Sequence, residues 1–331
     1  MIMETKTKLD RELDEVDNYE QAINASLALI HIYSWDVSNG KNLATTLHWL
    51  GREYNPGKVT PDITLQLSSD RGIVIELKES LPRNDGTNQK DLWAAKFEQL
   101  KKYDVELLGW ETENKKIKEQ ELVLLVNQKF TQKVKAYIQS KNLKYNNFSR
   151  NFCIIQYGPA NGRKAAVFIR KEEGRINDFS MVKEAELVDG VTVEVKYLLS
   201  SGLSSIRFLD YKPPVTHTMN ILWKHVFSSM ISPETWRQSN INEERVIDLD
   251  VKVKDLTEKV RNEFADKSSK SSLQESWIEE ALEKFAFLKH GKKTGNGAYQ
   301  IKYKKKPIDW ATELYPSGQM GLNKNNNDNN S

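Results

Sequence analysis

Pro61-Asp62 and, after an interval of thirteen residues, Glu76-Leu77-Lys78 are the residues of this chain whose types and spacing fit hydrolytic chemistry. Side chains alternate along a strand, so Glu76 and Lys78 are expected on one face and Leu77 on the other, with Ile73 and Ile75 in the core. A short turn over residues 68–72 folds the preceding strand, residues 63–67, back against this one, which brings Asp62 close to Glu76. Two carboxylates held close repel unless a cation sits between them or one takes a proton. A hard divalent ion on oxygen ligands resolves that repulsion, and Mg²⁺ suits an open site with few protein ligands and several waters. Mn²⁺ is the natural substitute. Asp62 and Glu76 are the expected metal ligands, with the Leu77 carbonyl as a third. Such an ion polarises a phosphoryl oxygen and acidifies water toward neutral pH. Lys78 is then placed to orient or deprotonate that water and to offset charge in the transition state. Glu-Leu-Lys alone is common on exposed strands of no catalytic role. Pro-Asp, the hairpin spacing and the apolar second strand are what turn it toward phosphodiester hydrolysis.

The elements around the hairpin follow from periodicity. Residues 8–34 carry Leu9, Leu13, Val16, Ile23, Leu27 and Ile30 near the helical period, with acids crowded toward the front. Residues 42–54 fit helix or strand. Residues 81–88, with Pro82, Asn84, Asp85 and Gly86, read as a mobile loop, and residues 90–103 as an amphipathic helix. A buried strand at 121–126, a helix at 131–142, a strand at 152–157, a turn at 158–163 and a strand at 165–170 come next. This is a mixed α/β layer with helices packed on a sheet. Residues 187–211 read as further strand and turn.

The stretch TPDITLQLSSDRGIVIELKESL, residues 60–81, closely resembles the core hairpin of the PD-(D/E)XK nuclease superfamily, which includes restriction endonucleases, junction resolvases and repair and defence nucleases. The resemblance covers residues 10–170 and is strongest at the hairpin. It implies a restriction-endonuclease-like mixed sheet flanked by helices. It further implies a carboxylate from the helix ahead of the hairpin, best matched by Glu20 with Glu15 as the substitute. From the helix after the hairpin it implies site-facing residues, for which KFEQLKKYD offers Lys96, Gln99 and Tyr103.

Pro213-Pro214 marks the boundary between a nuclease domain, residues 1–212, and a second domain, residues 213–316. Beyond it a helix (217–231), a strand (246–253), a helix (254–265), a helix (273–287) and a glycine-containing hairpin follow in the order of a winged helix. The third helix would enter a major groove and the hairpin would touch backbone. Between residues 284 and 306 stand eight lysines and no carboxylate, so Lys292, Lys293, Lys302, Lys304 and Lys305 are candidate nucleic-acid contacts, with Lys292 and Lys293 near the wing tip. The third helix itself carries Glu275, Glu279, Glu280 and Glu283, an unfavourable face for DNA. That leaves protein contact open as its role. Trp277, Phe285 and Phe287 are expected in the core rather than stacked on bases. Residues 317–331 are polar, of low complexity, and expected to be disordered.

The rest of the composition mainly excludes. The net charge is +3 over 331 residues, so global charge does not call for a polyanion; only local charge does. No uncharged apolar run approaches a membrane span, and the first residues lack the apolar stretch of a signal peptide, which makes a cytoplasmic protein the default expectation with no membrane partner. The single cysteine, Cys153, lies in FCIIQY and is expected to be a buried thiol. His31, His48, His217, His225 and His290 have no metal-ligand spacing, and no phosphate-binding glycine loop is present. The expected activity is a Mg²⁺-dependent DNA endonuclease in restriction, defence or repair. The alternatives are a non-catalytic DNA-binding or assembly protein on a nuclease-like scaffold, and an RNA nuclease, because the phosphoryl chemistry is the same. Cutting two strands with one site per chain favours a homodimer.

Overall fold

In the computed structural model the described residues are 7–34, 44–49, 61–67, 71–78, 100–104, 111–112, 115–116, 119–140, 148, 150–160, 163–176, 184–194, 207–209, 211–232, 246–264 and 273–315. The chain divides into two compact units. One comprises residues 18–211 and 261–273; the other comprises residues 1–17, 212–260 and 274–331. The class is mixed α/β.

The first helix, α1 (Lys8–Ser34), begins where Thr7 and Asp10 satisfy each other's backbone N–H groups, Thr7 N–H to Asp10 Oδ2 at 3.0 Å and Asp10 N–H to Thr7 Oγ1 at 3.1 Å. This reciprocal cap removes two of the donors a helix start leaves without intrahelical partners.

Residues 18–211 are built on one seven-stranded sheet. Its strands are β1 (Ala44–Trp49), β2 (Ile63–Leu67), β3 (Arg71–Lys78), β6 (Glu119–Asn127), β7 (Phe152–Ala160), β8 (Arg163–Gly174) and β9 (Val191–Glu194), in that spatial order. Two further short strands, β4 (Glu111–Thr112) and β5 (Lys115–Lys116), pair with each other. The pairs β1–β2 and β2–β3 are antiparallel, β3–β6 and β6–β7 parallel, and β7–β8 and β8–β9 antiparallel. Residues 42–54, which fit either state in sequence, supply β1. Arg71 and Gly72, expected in the turn at 68–72, belong to β3, and residues 68–70 lie outside the described residues. The strands β7 and β8 run through most of the expected turn at 158–163.

Parallel strands are ordinarily covered on both faces, and these are. On one face Tyr19, Ile23, Leu27 and Ile32 of α1 pack with Ile63, Ile73, Ile75, Leu77, Val123, Leu125, Cys153 and Ile155. On the other, Leu100 and Tyr103 from the helical turn at residues 100–104, and Val134 and Ile138 from α2 (Thr131–Ser140), cover Val74, Leu122, Leu124, Val126, Phe152 and Ile154. Each such aliphatic side chain contributes roughly 1.5–3 kcal/mol when fully buried. Cys153 is buried, as FCIIQY suggests. Of residues 187–211, which read as strand and turn, Val191–Glu194 form β9, whereas 187–189 end a helical turn (α3, Glu184–Asp189). Leu187 of that turn is buried. Gly190 ends it at φ 97°, where its N–H closes on the Glu186 carbonyl at 2.9 Å, a conformation that favours glycine.

The second unit holds α4 (Val215–Ile221), a π-helical continuation (Leu222–Phe227), β10 (Ile247–Lys252), most of α5 (Val253–Phe264), α6 (Glu275–Phe287), β11 (Gly291–Gly295), β12 (Ala298–Tyr303) and α7 (Trp310–Leu314). Its antiparallel sheet has the order β10-β12-β11. Trp223, on the π turn, lies 4.9 Å from Trp310 and 4.9 Å from Tyr303 between ring centroids, and its indole N–H donates to the Lys306 carbonyl at 3.1 Å. Phe285 joins this cluster and Trp277 is also buried, but Phe287 is 75 % exposed. Placing Phe287 in the core is therefore wrong. Ile278, Ala281, Leu282 and Phe285 form the buried stripe of α6, and two residues beyond Phe285 the helix has turned about 200° away from it. Among the described residues no helix is long and apolar enough to cross a membrane.

Candidate active site

Strands β2 and β3 pair Ile63 with Ile75 and Thr64 with Val74. One step further along that register Asp62 falls across from Glu76. The side chain of Asp62 reaches β3 itself, its Oδ2 accepting the Leu77 backbone N–H at 2.5 Å. Glu76 lies two residues beyond Val74 on the face covered by residues 100–104 and α2. It is 2 % exposed, and its Oε2 accepts the Tyr103 hydroxyl at 2.8 Å. Glu76 therefore lies inside the fold and not on a solvent face. Alternation gives the side of the strand correctly, but β3 is an inner strand and both of its sides are covered.

Around that hydrogen bond stand groups that periodicity does not single out. Gln120 at the start of β6, 5 % exposed, donates from Nε2 to the Tyr103 carbonyl at 3.0 Å. Next to Tyr103, the buried Asp104 faces Arg150, with Nε 3.6 Å from Oδ1. Burial lowers the Arg150 pKa from the ordinary arginine range, and the Asp104 charge pulls it back up. The signal that could have found Gln120 is the polar run Glu119-Gln120-Glu121 ahead of the apolar stretch Leu122–Val126 in one strand. Arg150 carries no such signal, because its partner is distant in sequence.

Lys78 ends β3, its backbone in register with Val126 of β6, while its side chain lies outside the described part of the structure. Lys96 and Gln99 also lie outside the described residues. Glu20 is exposed on α1, and its charge acts on Arg207, whose pKa burial lowers and Glu20 raises. Among the described residues no group of three or more His, Cys, Asp and Glu side chains gathers as a metal cluster. Glu20 therefore does not join Asp62 and Glu76 in one cluster, and the residues that could hold a metal ion are the hairpin pair. Both members are hard oxygen donors of the kind a divalent ion takes. The pair fits a Mg²⁺ or Mn²⁺ ion that keeps several waters.

In the second unit the hairpin turns at Asn296-Gly297, with Gly297 at φ 65°. Lys292 and Lys293 lie within β11, short of the tip, opposite Gln300 and Tyr299. Lys293 is drawn to α6, 3.3 Å from Glu279 and 3.9 Å from Glu283, and Tyr299 and Glu279 raise its pKa above the ordinary lysine value. Lys302 stands across from Asp248 of β10. Lys304 is half-buried and Lys305 exposed, just beyond β12. The run without carboxylates is thus met in space by acids from β10 and α6.

No family model, curated protein or solved structure matches this chain.

Proposed function

We propose that this chain is a metal-dependent nuclease of the PD-(D/E)XK type, hydrolysing DNA phosphodiester bonds at a site formed by Asp62, Glu76 and Lys78. The observation that carries this is the seating of Asp62 on the backbone of β3 beside Glu76, which puts two carboxylates at the end of a strand that finishes in lysine. The element order supports it as well: helix, antiparallel strands, helical turn, a parallel strand, helix, strand. In the second unit, helix, strand, two helices and a hairpin support a winged-helix-like module, with DNA backbone contact through its lysines.

Asp62 and Glu76 would hold Mg²⁺, with the Leu77 carbonyl as a third oxygen. The ion supplies polarisation of a phosphoryl oxygen and a water acidified toward neutral pH. Tyr103 fixes the Glu76 carboxylate by donating to one of its oxygens. Lys78 orients the attacking water and offsets developing negative charge. The surrounding apolar core lowers the local dielectric, which strengthens each of these interactions.

One observation favours a different role. A carboxylate only 2 % exposed and bonded to a buried tyrosine also suits a non-catalytic DNA-binding or assembly scaffold. The two are separated by incubating plasmid, linear and single-stranded DNA, and RNA, with Mg²⁺, Mn²⁺ or EDTA, for wild type and Glu76→Ala. Metal-dependent cutting that the substitution abolishes is expected, and the substrate pattern separates DNA from RNA. Cutting retained by Glu76→Ala would remove the site assignment; DNA binding without cutting by the wild type would favour the scaffold.

A further inference from the structure

Tyr103 stands on a helical turn, and its hydroxyl can serve Glu76 only if that turn is held still. Two buried polar contacts hold it. Gln120 Nε2 donates to the Tyr103 carbonyl at 3.0 Å, reaching from β6 at the position where Gly72, across the strand pair, offers no side chain. Asp104, 6 % exposed, faces Arg150 at 3.6 Å, which ties the same turn to the segment entering β7. Apolar residues of similar volume would stabilise this layer at least as well as a buried ion pair and a buried amide. What the polar groups add is direction, since a hydrogen bond fixes orientation and an apolar contact does not.

We propose that Gln120 and Arg150 are positioning residues: acting through Tyr103, they hold the Glu76 carboxylate in the orientation that serves a divalent ion. This rests on the part of the nuclease reading that makes Glu76 a ligand of a divalent ion. Outer partners of this kind typically change metal affinity or activity by about 10–100-fold when removed.

The test uses the full chain and two readouts, cleavage kinetics with Mg²⁺ and direct calorimetric titration with Mn²⁺, on wild type, Gln120→Leu, Tyr103→Phe, the double variant, Arg150→Met and Arg150→Lys. Gln120→Leu is expected to weaken Mn²⁺ binding and lower kcat about tenfold or more, with KM for DNA little changed. Tyr103→Phe is expected to add nothing in that background, because both act through one hydroxyl. Arg150→Met should behave like Gln120→Leu, and Arg150→Lys should recover most of the loss. Should Gln120→Leu unfold, Gln120→Met removes the same donor with less change of shape. If wild type cuts and these variants bind Mn²⁺ and cut like it, or if the Gln120 and Tyr103 effects add, the positioning role is overturned and the nuclease assignment stands. If wild type cuts nothing but Mn²⁺ binding weakens non-additively, the nuclease assignment fails and the positioning role stands. A wild type that neither cuts nor binds Mn²⁺ overturns both.

Discussion

The Tyr103 hydroxyl and the Glu76 carboxylate meet at 2.8 Å across 27 positions of sequence, both all but excluded from solvent. Taking a donor away from a buried carboxylate is unfavourable, and hydrogen bonds to charged groups contribute roughly 1.5–3 kcal/mol. Tyr103→Phe, which keeps the ring and removes only the hydroxyl, is therefore expected to destabilise the fold by about that amount in urea unfolding. A midpoint equal to wild type would show that the bond contributes nothing.

Asp62 has two separable features, its charge and its acceptor oxygen. Asp62→Asn keeps an oxygen for the Leu77 N–H and should hold stability within about 0.5 kcal/mol while abolishing metal-dependent cutting. Asp62→Ala removes both, and should cost about 1 kcal/mol or more besides. Parallel unfolding curves and cleavage assays decide; an active Asp62→Asn would contradict the metal-ligand role.

The second unit turns on Trp223, which joins Trp310, Tyr303 and Phe285 and donates to the Lys306 carbonyl. Trp223→Ala is expected to cost about 3–5 kcal/mol. Phe287→Ala, at a ring 75 % exposed, should stay within about 0.5 kcal/mol of wild type. Thermal melts of both variants test the contrast; similar losses would mean that Phe287 is covered.

If the lysines of the hairpin meet DNA phosphates, they do so unequally. Lys292 and Lys302 are exposed, whereas Lys293 is shared between Glu279 and Glu283. Removing Lys292 and Lys302 together should flatten the plot of log affinity against log salt by about two units, at roughly 0.9 per phosphate. Lys293→Ala should change it by much less than one such step. Equal slopes in all three proteins would reject backbone contact by this hairpin.

Burial lowers the pKa of His31, in the last turn of α1, below its ordinary value of 6.5. The unfolded chain therefore binds a proton more readily than the folded one. The resulting stability is complete above pH 6.5 and is lost as pH falls toward the folded pKa. His31→Gln should flatten the acid side of a stability-against-pH curve; an unchanged curve would exclude His31 as a contributor.

Much of the fold can be read in one dimension. The helical period of α1, the apolar runs that become β6 and β7, and the alternation of β2 and β3 each depend on neighbours a few residues away. Where such local patterns fail, the cause is visible. Residues 184–189 are too few for periodicity to separate helix from strand, and Gly190 ends that turn. Phe287 was placed inside because it is aromatic, although its angle on α6 points it outward.

The sequence by itself determined the hairpin that sets Asp62 across from Glu76, because the register of two strands joined by a short turn is fixed by the turn and by side-chain alternation. Only the tertiary structure decided that β3 is an inner strand with both faces covered, so that Glu76 is buried and bonded to Tyr103 and not wet. It alone brought Gln120 and the Asp104–Arg150 pair to that turn, and set Glu279, Glu283 and Asp248 against lysines that stand in a run free of acids. Burial and long-range pairing depend on which segments pack together, and periodicity along one segment carries no record of what will cover it.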